Sequence, residues 1–86
     1  MDNEKFIELS KELAARQGEA YGPDNMYVVW VAKALQNNKG LFSSFELGAP
    51  YFEIIYNGDK EEFYVDTYVK SSNRAVKLSE VDDDKI

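Results

Sequence analysis

Met26–Asn38, MYVVWVAKALQNN, is the stretch whose conformation decides the fold. It holds the only tryptophan, Trp30, and the longest apolar run of the chain. Val28, Val31, Ala32 and Leu35 fall at i, i+3, i+4 and i+7, one face of a 3.6-residue period. Tyr27, Trp30, Val31 and Ala34 form an adjacent stripe. A helix here is apolar over more than half its girth and belongs between two layers. Gly22-Pro23-Asp24-Asn25 is a start signal, because Pro blocks helix from the N-terminal side and Asp24 or Asn25 can cap free amides. Asn37-Asn38-Lys39-Gly40 is a stop signal, with Gly40 able to take a positive φ. A buried strand, MYVVWVA, competes, since three valines and two aromatics favour strand locally. Length and the two end signals select the helix, and it is expected to be the central one.

Upstream, Asp2 to Gln17 reads as a first helix. Phe6, Leu9 and Leu13 mark one face, with Ile7 and Ala14 beside it. Asp2 or Asn3 is the expected N-cap, and Gly18 follows the last turn. Lys5, Lys11 and Arg16 alternate with Glu8 and Glu12 on a solvated face.

Downstream, Leu41 to Glu46 reads as a short strand and Leu47 to Pro50 as a turn. Then YFEIIY and EEFYVDTYV flank NGDK, a hairpin signal built on Asn57-Gly58. A two-residue Asn57-Gly58 loop sets Glu53 opposite Glu62, an unfavourable like-charge pair. The preferred register instead pairs Ile54 with Phe63 and Glu53 with Tyr64. In either register Phe52, Ile54, Phe63, Val65 and Thr67 share the core face. Tyr51, Glu53, Ile55, Glu62, Tyr64, Asp66 and Tyr68 share the other. Arg74 to Leu78 is a candidate edge strand, its charges suited to an edge. The expected architecture is α+β: two N-terminal helices packed on an antiparallel β-meander of three to four strands. Residues 1–79 form one domain, and residues 80–86 an acidic flexible tail.

Composition narrows the function classes. Hydrophobic residues are 44% of the 86, and aromatics 14%, enough for a real core, so the bulk of the chain is not disordered. There is no Cys and no His, which removes thiolate nucleophiles, zinc fingers and the commonest general base. The N-terminus lacks a signal-peptide pattern and no apolar run is long enough for a membrane span, so the expected location is the cytoplasm. The net charge is −6, and half of it sits in residues 80–86, which carry four acids and one base. The bases elsewhere are scattered rather than gathered into a phosphate-binding stripe, so direct nucleic-acid binding is not expected.

The pattern Tyr27-Val28-Val29-Trp30, Lys33, Leu35-Gln36-Asn37 and Lys39 is followed by Tyr51 or Phe52, Glu53, Tyr56 to Lys60, Glu62, Tyr64, Asp66, Tyr68 and Lys70. It resembles a family of small uncharacterised proteins encoded by phages and prophages of Gram-positive bacteria. The first helix and the tail lie outside that pattern. The resemblance implies a viral accessory protein in a bacterial cytoplasm and supplies no mechanism.

Two constellations are candidates for partner binding. Trp30, Lys33, Gln36 and Asn37 lie at i, i+3, i+6 and i+7 of the expected second helix, and Trp is a frequent hot-spot residue. The plainer alternative packs Trp30 in the core and leaves Gln36 and Asn37 to close the helix. The second is the outer hairpin face, where Tyr51, Tyr64 and Tyr68 stand among Glu53, Glu62 and Asp66. Tyrosines give contact area at low entropy cost, and the acids would favour a basic partner such as the basic groove of a nucleic-acid enzyme. The plainer alternative is a solvated sheet face. Glu53, Glu62 and Asp66 are a weak basis for acid–base or metal chemistry without His or a Gly-rich loop. VDDDKI at the end is better read as a solvated acidic run than as a calcium site.

The expectation is a non-catalytic modulator that binds a host or phage protein, with no cofactor and no metal. An acidic inhibitor occupying a nucleic-acid-binding site, of anti-restriction or anti-CRISPR type, is the first alternative, and a carboxylate-based enzyme the second. No membrane or direct nucleic-acid partner is expected, and a homodimer through an exposed sheet edge is open.

Overall fold

The computed structural model describes residues 1–17, 22–69 and 74–80. Its elements are helix α1 (Asn3–Arg16), a 3-10 turn (Pro23–Asn25), and strands β1 (Met26–Ala34), β2 (Asn37–Ser44), β3 (Tyr51–Asn57) and β4 (Glu62–Tyr68). The strands form one antiparallel meander in the order β1-β2-β3-β4. This corrects the expected fold of two helices on a meander: among the described residues a single N-terminal helix packs on a four-stranded antiparallel sheet, so the architecture is mostly β.

The second helix is replaced by β1 and the start of β2. The 3-10 turn absorbs the start signal at Pro23, and Leu35-Gln36 make a two-residue turn between Ala34 and Asn37. The helical period was real but had another origin. A β-bulge between Val28 and Trp30 leaves Val29 without a partner on β2. Below the bulge Met26 and Val28 face the helix side; above it Val31 and Lys33 do, opposite Gly40 and Asn38. A bulge adds one residue to a period of two, so the inward spacing reads 2, 3, 2 and resembles a helical stripe. β1 is also apolar on both faces, which removes the alternation that marks a half-buried strand.

Helix α1 forms where expected, but its inward face is rotated from the expected Phe6–Leu9–Leu13 face, with Leu9 and Leu13 only partly buried. Asp2 is the N-cap, its Oδ1 accepting the Lys5 amide at 2.8 Å. Its buried row is Phe6, Ser10 and Ala14, with Ile7 and Leu13 partly covered beside it. The small side chains at positions 10 and 14 let the helix lie close on the sheet. Phe6 is the central plug: its ring stacks on Phe63 at 6.3 Å and tilts against Phe42 at 6.0 Å. Gly40, expected to end a helix, sits mid-strand beneath these rings, where a Cβ would lie 2.7 Å from Phe42 and 3.1 Å from Phe6. Phe42, Phe52, Ile54 and Met26 complete the core. Buried Asn38 ties the sheet to the helix start, its Nδ2 donating to the Met1 carbonyl at 3.0 Å and to Asn3 Oδ1 at 3.4 Å.

The β3–β4 hairpin keeps the expected faces but not the expected register. Ile54 pairs with Val65, Tyr56 with Phe63 and Asn57 with Glu62, around a four-residue loop. Glu61 closes that loop at φ 54, and Asn57 Oδ1 accepts the amides of Asp59 and Lys60 at 3.0 and 3.2 Å. This register sets Glu53 opposite Asp66, a like-charge pair of the kind the sequence argument avoided. Lys39 on β2 offsets part of it, its Nζ lying 3.8 Å from Glu53 Oε2. Phe63 and Val65 are only partly buried and Thr67 is exposed, because α1 packs over β1, β2 and β3. The expected edge strand at Arg74–Leu78 does not form: residues 74–77 are irregular and exposed, and the fourth strand is β1 instead. Of the expected tail, residues 81–86 lie outside the described residues.

Candidate functional site

Helix α1 covers one face of the sheet. Among the described residues no helix or strand packs on the other; only the β2–β3 loop lies against it, where Phe45 meets Tyr27 and Ser43 is buried. The strand register lays that outer face out in rows. One row holds Tyr27, Ser43, Tyr51 and Tyr68. The next holds Trp30, Leu41, Glu53 and Asp66, and the third Ala32, Lys39, Ile55 and Tyr64. Asn37, Asn57 and Glu62 close the face at the turn end. Trp30, Tyr51, Tyr64 and Tyr68 are 41%, 42%, 42% and 51% exposed, a concentration of large aromatics on one open surface. Strands about 4.8 Å apart and about 3.3 Å per residue give it a footprint of roughly 400 Å².

The hairpin residues expected together, Tyr51, Glu53, Glu62, Tyr64, Asp66 and Tyr68, do share this face. Trp30 joins them, carried there by β1 rather than by a helix. Its expected companions do not form a strip with it. Lys33 lies on the opposite face, Gln36 is in the β1–β2 turn, and Asn37 Oδ1 accepts the Gly58 amide at 3.3 Å, binding the two hairpin turns together. Tyr27 and Leu41 were not foreseen as members. Alternation along Asn37–Ser44 is the signal that places Leu41 outward: Asn38, Gly40, Phe42 and Ser44 are buried, while Lys39 is exposed and Leu41 half-buried.

The electrostatics of the face are acidic on its β3–β4 side. Tyr64 Oη donates to Glu62 Oε2 at 2.7 Å. That bond to the carboxylate, then desolvation and the Glu62 charge, raises the Tyr64 pKa. The Tyr68 pKa is also raised, chiefly by the charge of Glu53, then by desolvation and Asp66. In both cases a nearby negative charge opposes formation of a phenolate. Lys39–Glu53 is the one ion pair among the described residues.

At the β2–β3 end the face runs into an open cleft of about 320 Å³ lined by residues that include Tyr27, Ser43, Phe45, Leu47 and Tyr51. The Tyr27 and Phe45 rings meet at 4.8 Å. Phe45 is 75% exposed and Leu47 fully so, and both belong to a loop turned by Gly48 at φ 78. Ser43 Oγ donates to the Pro50 carbonyl at 2.9 Å, and Ser44 Oγ accepts the Glu46 amide at 3.1 Å, so the loop is held from both ends. A second groove, about 500 Å³, lies on the helix side against Glu4, Glu8, Glu12 and Asp24 with Lys11. Among the described residues no group of His, Cys, Asp or Glu is arranged to hold a metal ion, and no helix is long and apolar enough to cross a membrane.

The model of a family of unknown function (DUF6275) matches residues 2–78, and the chain belongs to that family. The match takes in α1, which the motif pattern from Tyr27 onward had left out. No curated protein and no solved structure matches the chain.

Proposed function

We propose that this member of a family of unknown function is a non-catalytic binding module that modulates a partner protein and docks through its open sheet face. The observation that carries this is the one-sided fold. Among the described residues a single helix covers the sheet, while Trp30, Tyr51, Tyr64 and Tyr68 stand 41–51% exposed on the opposite face. Leaving such rings in water forgoes their burial, and Tyr and Trp are the residue types that dominate binding energy at protein interfaces. The motif pattern described above supports a phage-encoded accessory protein acting on a host or phage protein in the bacterial cytoplasm.

The test is affinity capture from a bacterial lysate with the wild-type chain and with the double variant Tyr64→Ser/Tyr68→Ser, both first checked for native circular dichroism. Loss of two hot-spot tyrosines is expected to weaken retention of the specific partner by ~10-fold or more. Equal retention by a folded double variant would remove this face from the function.

A second reading is an acidic inhibitor that occupies a nucleic-acid-binding site. The acids Glu53, Glu62 and Asp66 on the face favour it. It requires that added nucleic acid displace the captured partner and that capture fall steeply with salt. A partner indifferent to both leaves the docking reading without the inhibitor one.

A further inference from the structure

Glu53 and Asp66 are direct cross-strand partners on the open face. Opposed carboxylates in a sheet are destabilising unless something offsets them. Lys39 reaches Glu53 at 3.8 Å, and among the described residues no cation pairs with Asp66. Among the described residues the three acids of the face, Glu53, Glu62 and Asp66, outnumber its one lysine, Lys39. The uncompensated field extends to the Tyr68 hydroxyl, whose ionisation Glu53 and Asp66 oppose. The pair is also framed by rings: Tyr51 and Tyr68 occupy the neighbouring row on one side and Tyr64 the row on the other. Carboxylates give a cation its charge partner, and ring faces add a cation–π contribution. The adjacent row, about 7 Å along the strands, holds Tyr51, which also lines the open cleft of mixed polar and apolar character that Tyr27, Ser43, Phe45, Glu46 and Leu47 share.

We propose that the open face binds an extended basic segment of a partner protein, seating an arginine or lysine over the Glu53–Asp66 pair and a neighbouring apolar side chain on Tyr51 at the edge of the adjoining cleft. The inference rests on the docking reading above and adds the chemistry of the partner. Charge selects this occupant over a second copy of the chain, because two such faces brought together oppose like-charged carboxylates. Arginine suits the site better than lysine, since its planar fork can span two carboxylates and stack on tyrosine.

The experiment uses the full chain and a blocked peptide repeating Leu-Ser-Arg-Ser. In an extended conformation it presents leucine and arginine on one side about 7 Å apart. Trp30, the only tryptophan, lies in the row of the carboxylate pair and reports binding by its emission. The expected result is a saturable change that weakens as salt rises. Asp66→Asn and Glu53→Gln should each weaken it by about fivefold, the upper range for a solvent-facing ion pair. A peptide with glutamate in place of arginine should not bind. Three results overturn the inference: the glutamate peptide binding as tightly, both carboxamide variants binding unchanged, or no change in emission with either peptide. If the glutamate peptide binds and shifts outer-face amides in NMR spectra, docking stands and the cation does not. If the wild-type chain sediments as a dimer and folded Tyr64→Ser/Tyr68→Ser as a monomer, a second copy occupies the face and the basic segment is excluded. Unchanged capture by that double variant in the lysate experiment instead refutes the docking reading itself.

Discussion

Leu35 is where the strand fold and a helical fold demand opposite outcomes from one substitution. It occupies the first position of the two-residue turn between β1 and β2, with φ 56 and 93% of its surface exposed. A branched apolar residue in the left-handed region pays about 1–2 kcal/mol for the approach of Cβ to the following carbonyl oxygen. Asn tolerates that region because its short polar side chain bonds locally. Leu35→Asn removes almost no buried surface and relieves part of the backbone cost, so it is expected to stabilise the chain by about 1 kcal/mol. For a domain of this size that raises the thermal midpoint by about 4–8 °C. Were Leu35 on the buried stripe of a helix, shortening it and adding an amide would cost several kcal/mol, in the range of about 2–5 for core truncations. Urea unfolding followed by Trp30 emission and far-ultraviolet circular dichroism measures the difference directly. A loss of about 1 kcal/mol or more would refute the turn and the strand pairing that depends on it.

Two further outcomes follow from the hairpin ends and the acidic face. Gly58→Ala places a Cβ against the backbone carbonyl of Gln36, which cannot move without opening the β1–β2 turn, so a loss of about 1–3 kcal/mol is expected in thermal or urea melts. Glu62→Gln removes the main cause that raises the Tyr64 pKa, so ultraviolet titration should show one tyrosine ionising at lower pH than in the wild type. Tyr64 and Tyr68 hold their protons more tightly folded than unfolded. The stability linked to them is therefore present below the ordinary tyrosine value near 10 and is lost as pH rises through the higher folded values. Glu62→Gln should make that alkaline decline shallower, and an unchanged decline would count against the Tyr64–Glu62 bond.

The amino-acid sequence by itself determined the parts whose causes are local. Asp2 caps the first helix because its side chain reaches an amide three residues on, and the Phe6 side faces inward because its neighbours at helical spacing are apolar or small. The two faces of the β3–β4 hairpin were legible because side chains alternate strictly in a strand, so even a register wrong by two residues left Tyr51, Glu53, Glu62, Tyr64, Asp66 and Tyr68 together. Only the tertiary structure decided Met26–Ala34. Its residues suit a helix or a strand in isolation, and the bulge at Val29 imitates helical spacing. What selects the strand is pairing with β2, whose register sets Val28 against Phe42 and opens room at Gly40 for Phe6. The same pairing carries Tyr27 and Trp30 to the open face beside tyrosines more than twenty residues away in sequence. The hairpin register draws on both levels: Asn57 and Glu61 shape the loop locally, and the charge that eases its like-charge pair comes from outside the hairpin. Lys39, on a third strand, offsets part of the repulsion between Glu53 and Asp66, and no inspection of the hairpin alone supplies that charge.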